Sequence, residues 1–492
     1  MDYIRINKID NVGVALIDLK KGASIKVDTN SFIITQDIKK GHKFAIKCIK
    51  SGENIIKYGL PIGKASKDIK MGELVHTHNV VTNLKENEDY IYSPIKNQLP
   101  KTSSKKFMGY RREDGKVGIR NEIWILPIVG CVNSLAKNIV SICEEYIDGS
   151  IDGIYTFTHP YGCSQLGDDH NNTRKILSSL AKHPNAGGVL VVGLGCENLT
   201  MAQFKNELGK YDDKRIKFLV SQEVDDEIAE AKKLVKEIIN NAKKYKREEI
   251  PVSELVIGMK CGGSDGLSGI TANPLVGEFS DKLIGMGGTT ILTEVPEMFG
   301  AEKILFNKCF DKNIFDKAVN MINKFKKYFL SFGQSIYENP SPGNIEGGIT
   351  TLEDKSCGCV QKGGTATIVD CLDYGEIVSK SGLNLLYGPG NDLVSSTALA
   401  ATGSHIILFT TGRGTPFGAP VPTIKISSNT ELYNKKKNWI DFNAGKLLDG
   451  EDIDKVSKDF IDYVIKVASG EKTSQEKNNY REIAIFKNGV TL

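Results

Sequence analysis

The sequence lacks the features that would place it at a membrane, in a secretory pathway or on nucleic acid. No apolar run reaches the roughly 18–20 residues that a membrane-spanning helix needs. Residues 1–5 do not begin the basic and apolar regions of a signal peptide. The formal net charge is only +4 over 492 residues, without a strongly basic stripe. We therefore expect a cytoplasmic protein that binds neither membranes nor nucleic acid.

Two common nucleotide-binding motifs are also missing. Gly193 and Gly195 begin like a dinucleotide-binding fingerprint, but Asn198 stands where the third glycine belongs. The Gly-rich stretch after Lys260 contains no glycine followed by Lys-Ser or Lys-Thr in the frame of a P-loop. These absences argue against NAD and ATP at the glycine-rich loops.

Ten cysteines are present, but they are spread over a long chain rather than packed into a small disulfide framework. In a cytoplasmic protein such thiols stay reduced. We expect some of them to be small buried apolar side chains and others to be metal ligands.

The chain divides into regions with different sequence patterns. Residues 1–82 contain short β-type runs at 12–17, 31–35, 43–47 and 54–58, separated by glycines, which predicts a small all-β domain. Residues 83–108 are polar, contain Pro94 and Pro100, and predict an extended linker.

Strand and helix patterns alternate in the remainder, which predicts α/β structure with mostly parallel sheets. Residues 109–250 form one segment, with buried strands predicted at 123–126 and 189–192. Residues 251–492 form another, with strands at 255–257, 289–292, 366–369 and 405–409. Long Gly-rich loops connect these later strands, and loops of that length are usually functional.

His76 and His78 are the first candidate site residues. On a strand they would share one face, where two imidazoles can bind a metal or transfer protons. The alternative is a pair of ordinary exposed histidines.

The second candidate region is 159–170, which follows a strand-like run at 153–157. His159, Cys163, Asp168 and His170 would lie where open α/β sheets place their ligands. The alternative is an acidic helix cap with histidines that only pack. Cys196 follows the buried strand 189–192 in the same way, and it is either a ligand or a buried structural cysteine.

The third candidate region consists of the Gly-rich loops. Hydroxyls, amides and carboxylates in them suit a polyol or sugar acid, whereas the alternative is a flexible Gly-Ser loop. Arg413, held among glycines, suits a carboxylate, although a surface arginine in a turn fits equally well. Cys359 lies in a Cys-x-Cys spacing too short for a zinc knuckle. The remaining candidates in these loops are Lys260, Cys261, Ser264, Asp265, Asn273, Asn391 and Asp392.

Taken together, these runs resemble the altronate/galactarate dehydratase family over essentially the whole chain. Residues 41–44, 57–63 and 75–79 are similar to the small SAF domain of that family. The large α/β portion, of one or two subdomains, is similar to its catalytic part. The matching runs there are 118–122, 161–170, 193–198, 261–274, 293–302, 388–392, 411–416 and 489–492. Cys357 departs from the family pattern, in which the second thiol, Cys359, is the expected one.

The resemblance implies a hydro-lyase that removes water from a sugar acid such as D-altronate, giving 2-dehydro-3-deoxy-D-gluconate in hexuronate (galacturonate) breakdown. It also implies a divalent metal, Fe²⁺, with Mn²⁺ as an alternative ion. We expect Cys163, Cys196 and Cys359, with Cys261, to gather near His159 and His170 around iron, because thiolates and imidazoles suit iron.

Several alternatives stay open at this stage. The iron is either a single ion or a cluster held by three cysteines. His76, His78, His170 and Asp168 are the acid–base candidates, and Lys260 or Arg413 would bind the substrate carboxylate. Galactarate or another aldarate or aldonate is an alternative substrate, and a non-catalytic sugar-acid-binding protein is an alternative of another class. A homo-oligomer is also compatible with the sequence.

Overall fold

The structure is a computed structural model that describes residues 2–27, 30–84, 89–95, 97, 99–100 and 102–492. It is an α/β protein with a strand-rich N-terminal region, as the sequence predicts. Within the described ranges, every helix is too short or too polar to span a lipid bilayer.

The N-terminal region is built from short antiparallel strands. They form a four-stranded sheet (β1-β2-β5-β8), a three-stranded sheet (β6-β7-β9) and the pair β3-β4. Apolar side chains from alternating positions fill two small cores. The strands are β1 Tyr3–Ile4, β2 Val12–Ala15, β3 Ser24–Val27, β4 Asn30–Ile33, β5 Lys43–Ala45, β6 Asn54–Lys57, β7 Leu60–Ala65, β8 Leu74–Val75 and β9 Val80–Val81.

The prediction that His76 and His78 share a strand face is wrong. Strand β8 ends at Val75, and a tight turn follows. The side chain of Asn79 accepts a hydrogen bond from the His76 N–H at 2.9 Å, and the Asn79 N–H donates back to the His76 carbonyl. Asn commonly closes turns in this way, so the chain reverses before a strand can continue.

The segment predicted as a linker contacts the large portion at several of its described residues. The Tyr90 ring packs edge-to-face against the Phe306 ring, with the ring centroids 4.8 Å apart. The Tyr92 hydroxyl donates a hydrogen bond to the Cys309 carbonyl at 3.2 Å. The Ile95 N–H bonds to the Asn307 carbonyl at 2.7 Å. Residues 85–88, 96, 98 and 101 of this predicted linker lie outside the described residues.

The second region contains a parallel four-stranded sheet in the order β13-β12-β14-β15. Strands β12 and β14 are buried along their whole length, which explains their continuous apolar sequences. A separate antiparallel ribbon, β11-β10-β16, flanks this sheet. The elements are β10 Lys106–Arg111, β11 Val117–Gly118, β12 Glu122–Pro127, α1 Asn133–Cys143, β13 Gly153–Thr156, α2 Gly167–Ala181, β14 Ala186–Gly193, α3 Met201–Leu208, β15 Ile216–Val220, α4 Glu227–Ala242 and β16 Arg247–Pro251.

The third region contains a parallel seven-stranded sheet in the order β19-β20-β18-β17-β21-β22-β23. Its strands are β17 Val256–Cys261, β18 Thr289–Leu292, β19 Ile368–Leu372, β20 Gly382–Leu386, β21 Ile406–Thr411, β22 Thr423–Ser427 and β23 Phe442–Asn443. Its helices are α5 Ala272–Gly285, α6 Glu302–Phe306, α7 Lys312–Ser331, α8 Pro342–Glu346, α9 Leu352–Cys359, α10 Asp392–Ala401, α11 Thr430–Lys435, α12 Ile453–Ala468 and α13 Ser474–Lys477.

The topology of this large sheet marks one place for a ligand. Strands β17 and β21 are neighbours, but the chain leaves them toward opposite edges of the sheet, to β18 and β22 respectively. Such a switch opens a crevice beyond the carboxyl ends of the two strands. The residues that follow Cys261 and Thr411 therefore border the expected crevice.

Candidate metal centre at the carboxyl edge of the large sheet

Cys261, Glu297 and Cys359 meet beyond the carboxyl end of β17. The Cys261 Sγ lies 2.8 Å from a Glu297 carboxylate oxygen and 3.4 Å from the Cys359 Sγ. All three side chains are buried, and their ligand atoms lie within 4.8 Å of one another. Strand β17 supplies the first thiol, the 3-10 turn after β18 supplies the carboxylate, and the last residue of α9 supplies the second thiol.

The three ligand residues differ in how easily they ionise. The hydrogen bond to Cys359 lowers the pKa of Cys261 to about 7, and the same bond raises the pKa of Cys359. Burial opposes ionisation of Glu297, but the Lys355 and Lys362 ammonium groups hold its pKa down at about 2. A thiolate and a carboxylate would repel each other strongly at 2.8 Å in a buried site, so either a proton or a metal ion must lie between them. Two thiols and one carboxylate suit a soft or borderline ion such as Fe²⁺ better than Mg²⁺ or Ca²⁺.

Buried lysines surround the three ligand residues. Lys355 forms an ion pair with Glu297 at 2.7 Å. Lys260 is buried between Glu294 at 3.1 Å and Asp392 at 2.6 Å. Burial alone would lower the pKa of Lys260, but these two carboxylates raise it overall, so the amine stays protonated. Both of these buried ammonium groups therefore already have a carboxylate partner, as buried charges require.

Glu294 is the most unusual acid of the site. It is 1% exposed and adopts a left-handed backbone conformation with φ of 71°, which is uncommon for a side chain of this size. One carboxyl oxygen accepts the Cys261 N–H at 2.8 Å. Burial and the nearby Glu297 carboxylate raise the pKa of Glu294 well above its ordinary value, although Lys260 opposes them. Glu294 can therefore carry a proton at neutral pH.

A Gly-rich loop after β20 borders the same site. The backbone of Gly390 passes so close that a Cβ there would lie 4.0 Å from a Glu297 oxygen. Asn391 caps helix α10 through its side-chain oxygen, and Asp392 begins that helix beside Lys260. A Cβ at Gly262 would clash with Asp392 at 2.7 Å, so this glycine permits the close approach of the two segments.

The small domain covers the helix that carries Cys359. Both Lys43 and Lys57 bind the buried carboxylate of Asp354 on α9, at 2.7 and 3.0 Å. A Cβ at Gly269 would lie 2.2 Å from the Tyr58 hydroxyl, so Tyr58 packs tightly on the loop that follows Cys261. Buried contacts therefore fix the small domain to the metal-binding part of the chain.

His76 lies at this joint, whereas His78 is exposed in the turn. A ring nitrogen of His76 lies 3.1 Å from the Ile345 carbonyl on α8. The helix α8 segment contacts the loop after Cys261 through the Asn344 amide, which donates to the Ser264 carbonyl at 2.8 Å. Burial lowers the pKa of His76, so its imidazole is neutral at neutral pH.

The other candidates in these loops differ in what they bind. Ser264 keeps a buried hydroxyl without a hydrogen-bond partner among the described residues. Asp265 accepts hydrogen bonds from Ser268 and Ser428. The side-chain amide of Asn273 donates one hydrogen bond and accepts another. Asp265 and Asn273 therefore hold the loops together. Arg413 pairs with Glu346 at 3.0 Å, and its side chain is 46% exposed.

The structure does not bring Cys163, Cys196 and His159 into this metal-binding group. These residues lie in the loops that follow strands β13 and β14 of the second region. One ring nitrogen of His159 lies 2.8 Å from the Pro127 carbonyl and the other accepts the Tyr161 N–H at 3.2 Å. Burial lowers the pKa of His159 to about 4, so its imidazole is neutral, and both ring nitrogens already have hydrogen-bond partners. Asp168 and His170 lie in the first turn of α2 in the same region.

Sequence reasoning found Cys261 and Cys359, with Lys260 and Asp392 beside them, but missed Glu294, Glu297, Lys355 and Lys362. Glu294 and Glu297 follow directly after the predicted strand 289–292. Cys196 was chosen as a candidate because it also follows a buried strand. Lys355 and Lys362 flank Cys359 at helical spacing. A strand end followed by two acids was therefore the available signal.

Family models match the three regions of the chain one by one. A model described as "Altronate/galactarate dehydratase SAF domain" matches residues 1–83. The model "D-galactarate dehydratase/Altronate hydrolase, second domain" matches 109–243, and "D-galactarate/Altronate dehydratase, C-terminal" matches 252–491. Altronate dehydratase of Escherichia coli (strain K12) is 52% identical over 495 residues, with 100% of both chains covered. The chain belongs to the altronate/galactarate dehydratase family. Altronate dehydratase of Bacillus subtilis (strain 168) is 54% identical, with 100% of this chain and 99% of the relative covered.

Another member of the altronate/galactarate dehydratase family is more distant. Galactarate dehydratase (L-threo-forming) of Escherichia coli (strain K12) is 33% identical over 512 residues, with 98% of this chain and 96% of the relative covered. The resemblance drawn from the sequence runs is thus confirmed at the level of the family.

Proposed function

We propose that this chain is a hydro-lyase that removes water from D-altronate to give 2-dehydro-3-deoxy-D-gluconate in hexuronate catabolism. The observation that carries the proposal is the difference in identity between relatives. Proteins named altronate dehydratase are 52% and 54% identical over full length, whereas the one named galactarate dehydratase is 33% identical.

The reaction sets demands that the site can meet. The proton on C2, next to a carboxylate, is a very weak acid, and its removal places further negative charge on that carboxylate. The buried cations Lys260, Lys355 and Lys362 supply positive potential around this charge. Lys260 already forms an ion pair with Asp392, so we assign the substrate carboxylate to Lys362, with Arg413 at the entrance beside Gly263.

We infer one ferrous ion at Cys261, Glu297 and Cys359, with Mn²⁺ as a substitute. The fit rests on the donor set and on the 2.8 Å contact between a Glu297 carboxylate oxygen and the Cys261 thiol, whose pKa is lowered to about 7. When bound, the ion would act as a Lewis acid toward a substrate oxygen. Three protein ligands leave coordination positions free for that oxygen.

Proton transfer requires a donor and an acceptor. Glu294, whose pKa is raised well above its ordinary value by burial and by Glu297, is suited to donate a proton to the departing C3 hydroxyl. His76, neutral and placed at the joint with the small domain, is our candidate for the base that takes the C2 proton. The enol that forms then tautomerises to the 2-keto acid without the enzyme.

An anaerobic assay with Fe²⁺ and a panel of aldonates and aldarates tests the proposed activity. We expect formation of a 2-keto-3-deoxy acid from D-altronate, with a kcat/KM at least tenfold above that for galactarate. Faster turnover of galactarate than of D-altronate would indicate that galactarate is the substrate. No turnover of any acid, together with a higher Tm in the presence of altronate, would favour a binding protein instead.

We also assign the protein to the cytoplasm and regard a homo-oligomer as compatible with it. Among the described residues all ten cysteines are free thiols, a state that a reducing compartment preserves. Retention of activity in the cytosolic fraction, and the mass of the protein by light scattering, test these two assignments.

A further inference from the structure

Cysteines stand at one edge of the sheet in the second region, and the proposed reaction does not use them. Of the ten cysteines, Cys48, Cys131, Cys163 and Cys196 are exposed or half-buried. Cys48 belongs to the small domain. Each of the other three follows the carboxyl end of a different strand: β12, β13 or β14. These strands are adjacent in the order β13-β12-β14.

Hydrogen bonds hold the three cysteine-bearing loops together. The Gly130 N–H, one residue before Cys131, donates to the Tyr161 carbonyl at 2.9 Å. The Asn198 side-chain oxygen, two residues after Cys196, accepts the Ser164 N–H at 2.7 Å and lies 3.5 Å from the Cys163 Sγ. The loop of Cys163 is therefore bonded on one side to the loop of Cys131 and on the other to the loop of Cys196.

The loops are also fixed in shape. Gly162 has a φ of 94°, and a Cβ there would lie 2.0 Å from the Ile128 carbonyl oxygen, so no larger residue fits beside Cys163. The Glu197 carboxylate accepts the Leu194 N–H at 3.1 Å and keeps Cys196 at the surface of its turn. The Gln222 amide donates toward the Cys196 Sγ at 3.7 Å, a contact that stabilises a charged sulfur.

The three cysteines differ from the Cys261 site in how closely their ligand atoms are grouped. A single tetrahedral ion needs sulfur atoms close to one another, as in the group of Cys261 and Cys359. Among the described residues, Cys131, Cys163 and Cys196 do not form a group with ligand atoms within 4.8 Å of one another. A polynuclear cluster holds its thiolates further apart, because each thiolate binds a different iron.

We propose that Cys131, Cys163 and Cys196 bind an iron–sulfur cluster through three thiolates, one from each strand end. A cubane cluster has a fourth iron, which no cysteine of these loops would bind. That iron would take an oxygen ligand, such as a carboxylate or a hydroxyl. This centre lies in a different region from the Cys261–Glu297–Cys359 site and is independent of the proposed activity there.

Anaerobic purification of the full-length chain, followed by iron and acid-labile sulfide analysis, tests the proposal. We expect about four sulfides per chain and the broad visible absorbance of a [4Fe–4S] centre. In Cys131→Ser, Cys163→Ser and Cys196→Ser, sulfide and absorbance should fall at least fivefold. Cys48→Ser, an exposed thiol in the small domain, is the matched control and should keep both.

The two iron sites can be separated in the same experiment. Cys261→Ser and Cys359→Ser should lose about one iron per chain and no sulfide. If sulfide follows these two substitutions instead, or if the wild-type chain contains iron without sulfide, the proposal is overturned.

Thiol alkylation of the wild-type protein covers the case in which a serine variant misfolds. In the anaerobic holoprotein, iodoacetamide should label Cys48 but not Cys131, Cys163 or Cys196, and oxidative removal of the cluster should expose all three. Equal labelling of the four thiols before oxidation would contradict the cluster.

Discussion

The Sγ of Cys261 lies 2.8 Å from a carboxylate oxygen of Glu297, and both side chains are buried. Neither residue is near the other in sequence. Strand β17 and the turn after β18 bring them together, because the two strands are parallel neighbours and their carboxyl ends share one edge. Substitutions at the ligand residues therefore test whether a metal binds at this edge of the sheet.

Removing one ligand should remove the ion. Glu297→Gln and Cys359→Ala should lower iron affinity and kcat at least about 100-fold, since even indirect partners of a metal site contribute 10–100-fold. Titration of the chelated protein with Fe²⁺ measures this. Cys357→Ala is the matched control: Cys357 lies on the same helix, packs in the apolar core and has its pKa raised to about 12 by burial. Equal iron loss in the control would contradict the assigned ligands.

Glu294→Gln should separate chemistry from metal binding. The amide keeps the acceptor for the Cys261 N–H but has no acidic proton, so kcat should fall about 10²–10⁴-fold while iron content stays the same. Glu302→Gln is the comparison, because Glu302 is equally buried but pairs with Lys326. That variant should lose stability and keep its kcat. A Glu294→Gln enzyme with normal kcat would exclude this residue as the proton donor.

Asp354→Ala should loosen the small domain from the rest of the chain. It leaves the buried ammonium groups of Lys43 and Lys57 without their shared carboxylate, which costs about 3–5 kcal/mol. Limited proteolysis within residues 83–108 should become much faster, and Tm should fall. The exposed pair of Lys20 and Asp37 provides the control, because Asp37→Asn removes a solvated ion pair of the same domain. If both variants are cut at the same rate, the buried pairs do not fix the domain.

His405 should make the fold sensitive to acid. Burial lowers the pKa of His405 from 6.5 to about 4, so the unfolded chain binds a proton here at a higher pH than the folded chain does. The resulting stability is complete above pH 6.5 and is lost as the pH falls toward 4, up to about 3 kcal/mol. In His405→Gln the urea midpoint should depend less on pH across this window. His78→Gln, in an exposed turn, should keep the wild-type slope.

The parallel strands were predictable because burial on both faces gives short continuous apolar runs. The run at 189–192 lies within β14, and the run at 289–292 coincides with the whole of β18. The turn at His76 was not predicted, because the hydrogen bonds of Asn79 outweigh the alternation of the flanking residues.

The candidate site was only partly predictable. Cys261 and Cys359 stand out by residue type, but their pairing depends on a connection of almost a hundred residues between β17 and α9. The same limit applies to Cys131, which no motif in the sequence marks as a ligand. It becomes a candidate only because the strands that precede Cys131 and Cys163 are adjacent in the sheet. Proximity at a sheet edge is set by strand order, which local patterns do not encode.

The two lysines on Asp354 also constrain the construction of hybrid enzymes. Lys43 and Lys57 lie on strands of the small domain, and their carboxylate lies on α9 of the large portion. A chimera that takes the small domain from one relative and the rest from another must transfer these three residues together. Otherwise the graft buries either an unmatched carboxylate or two unmatched amines.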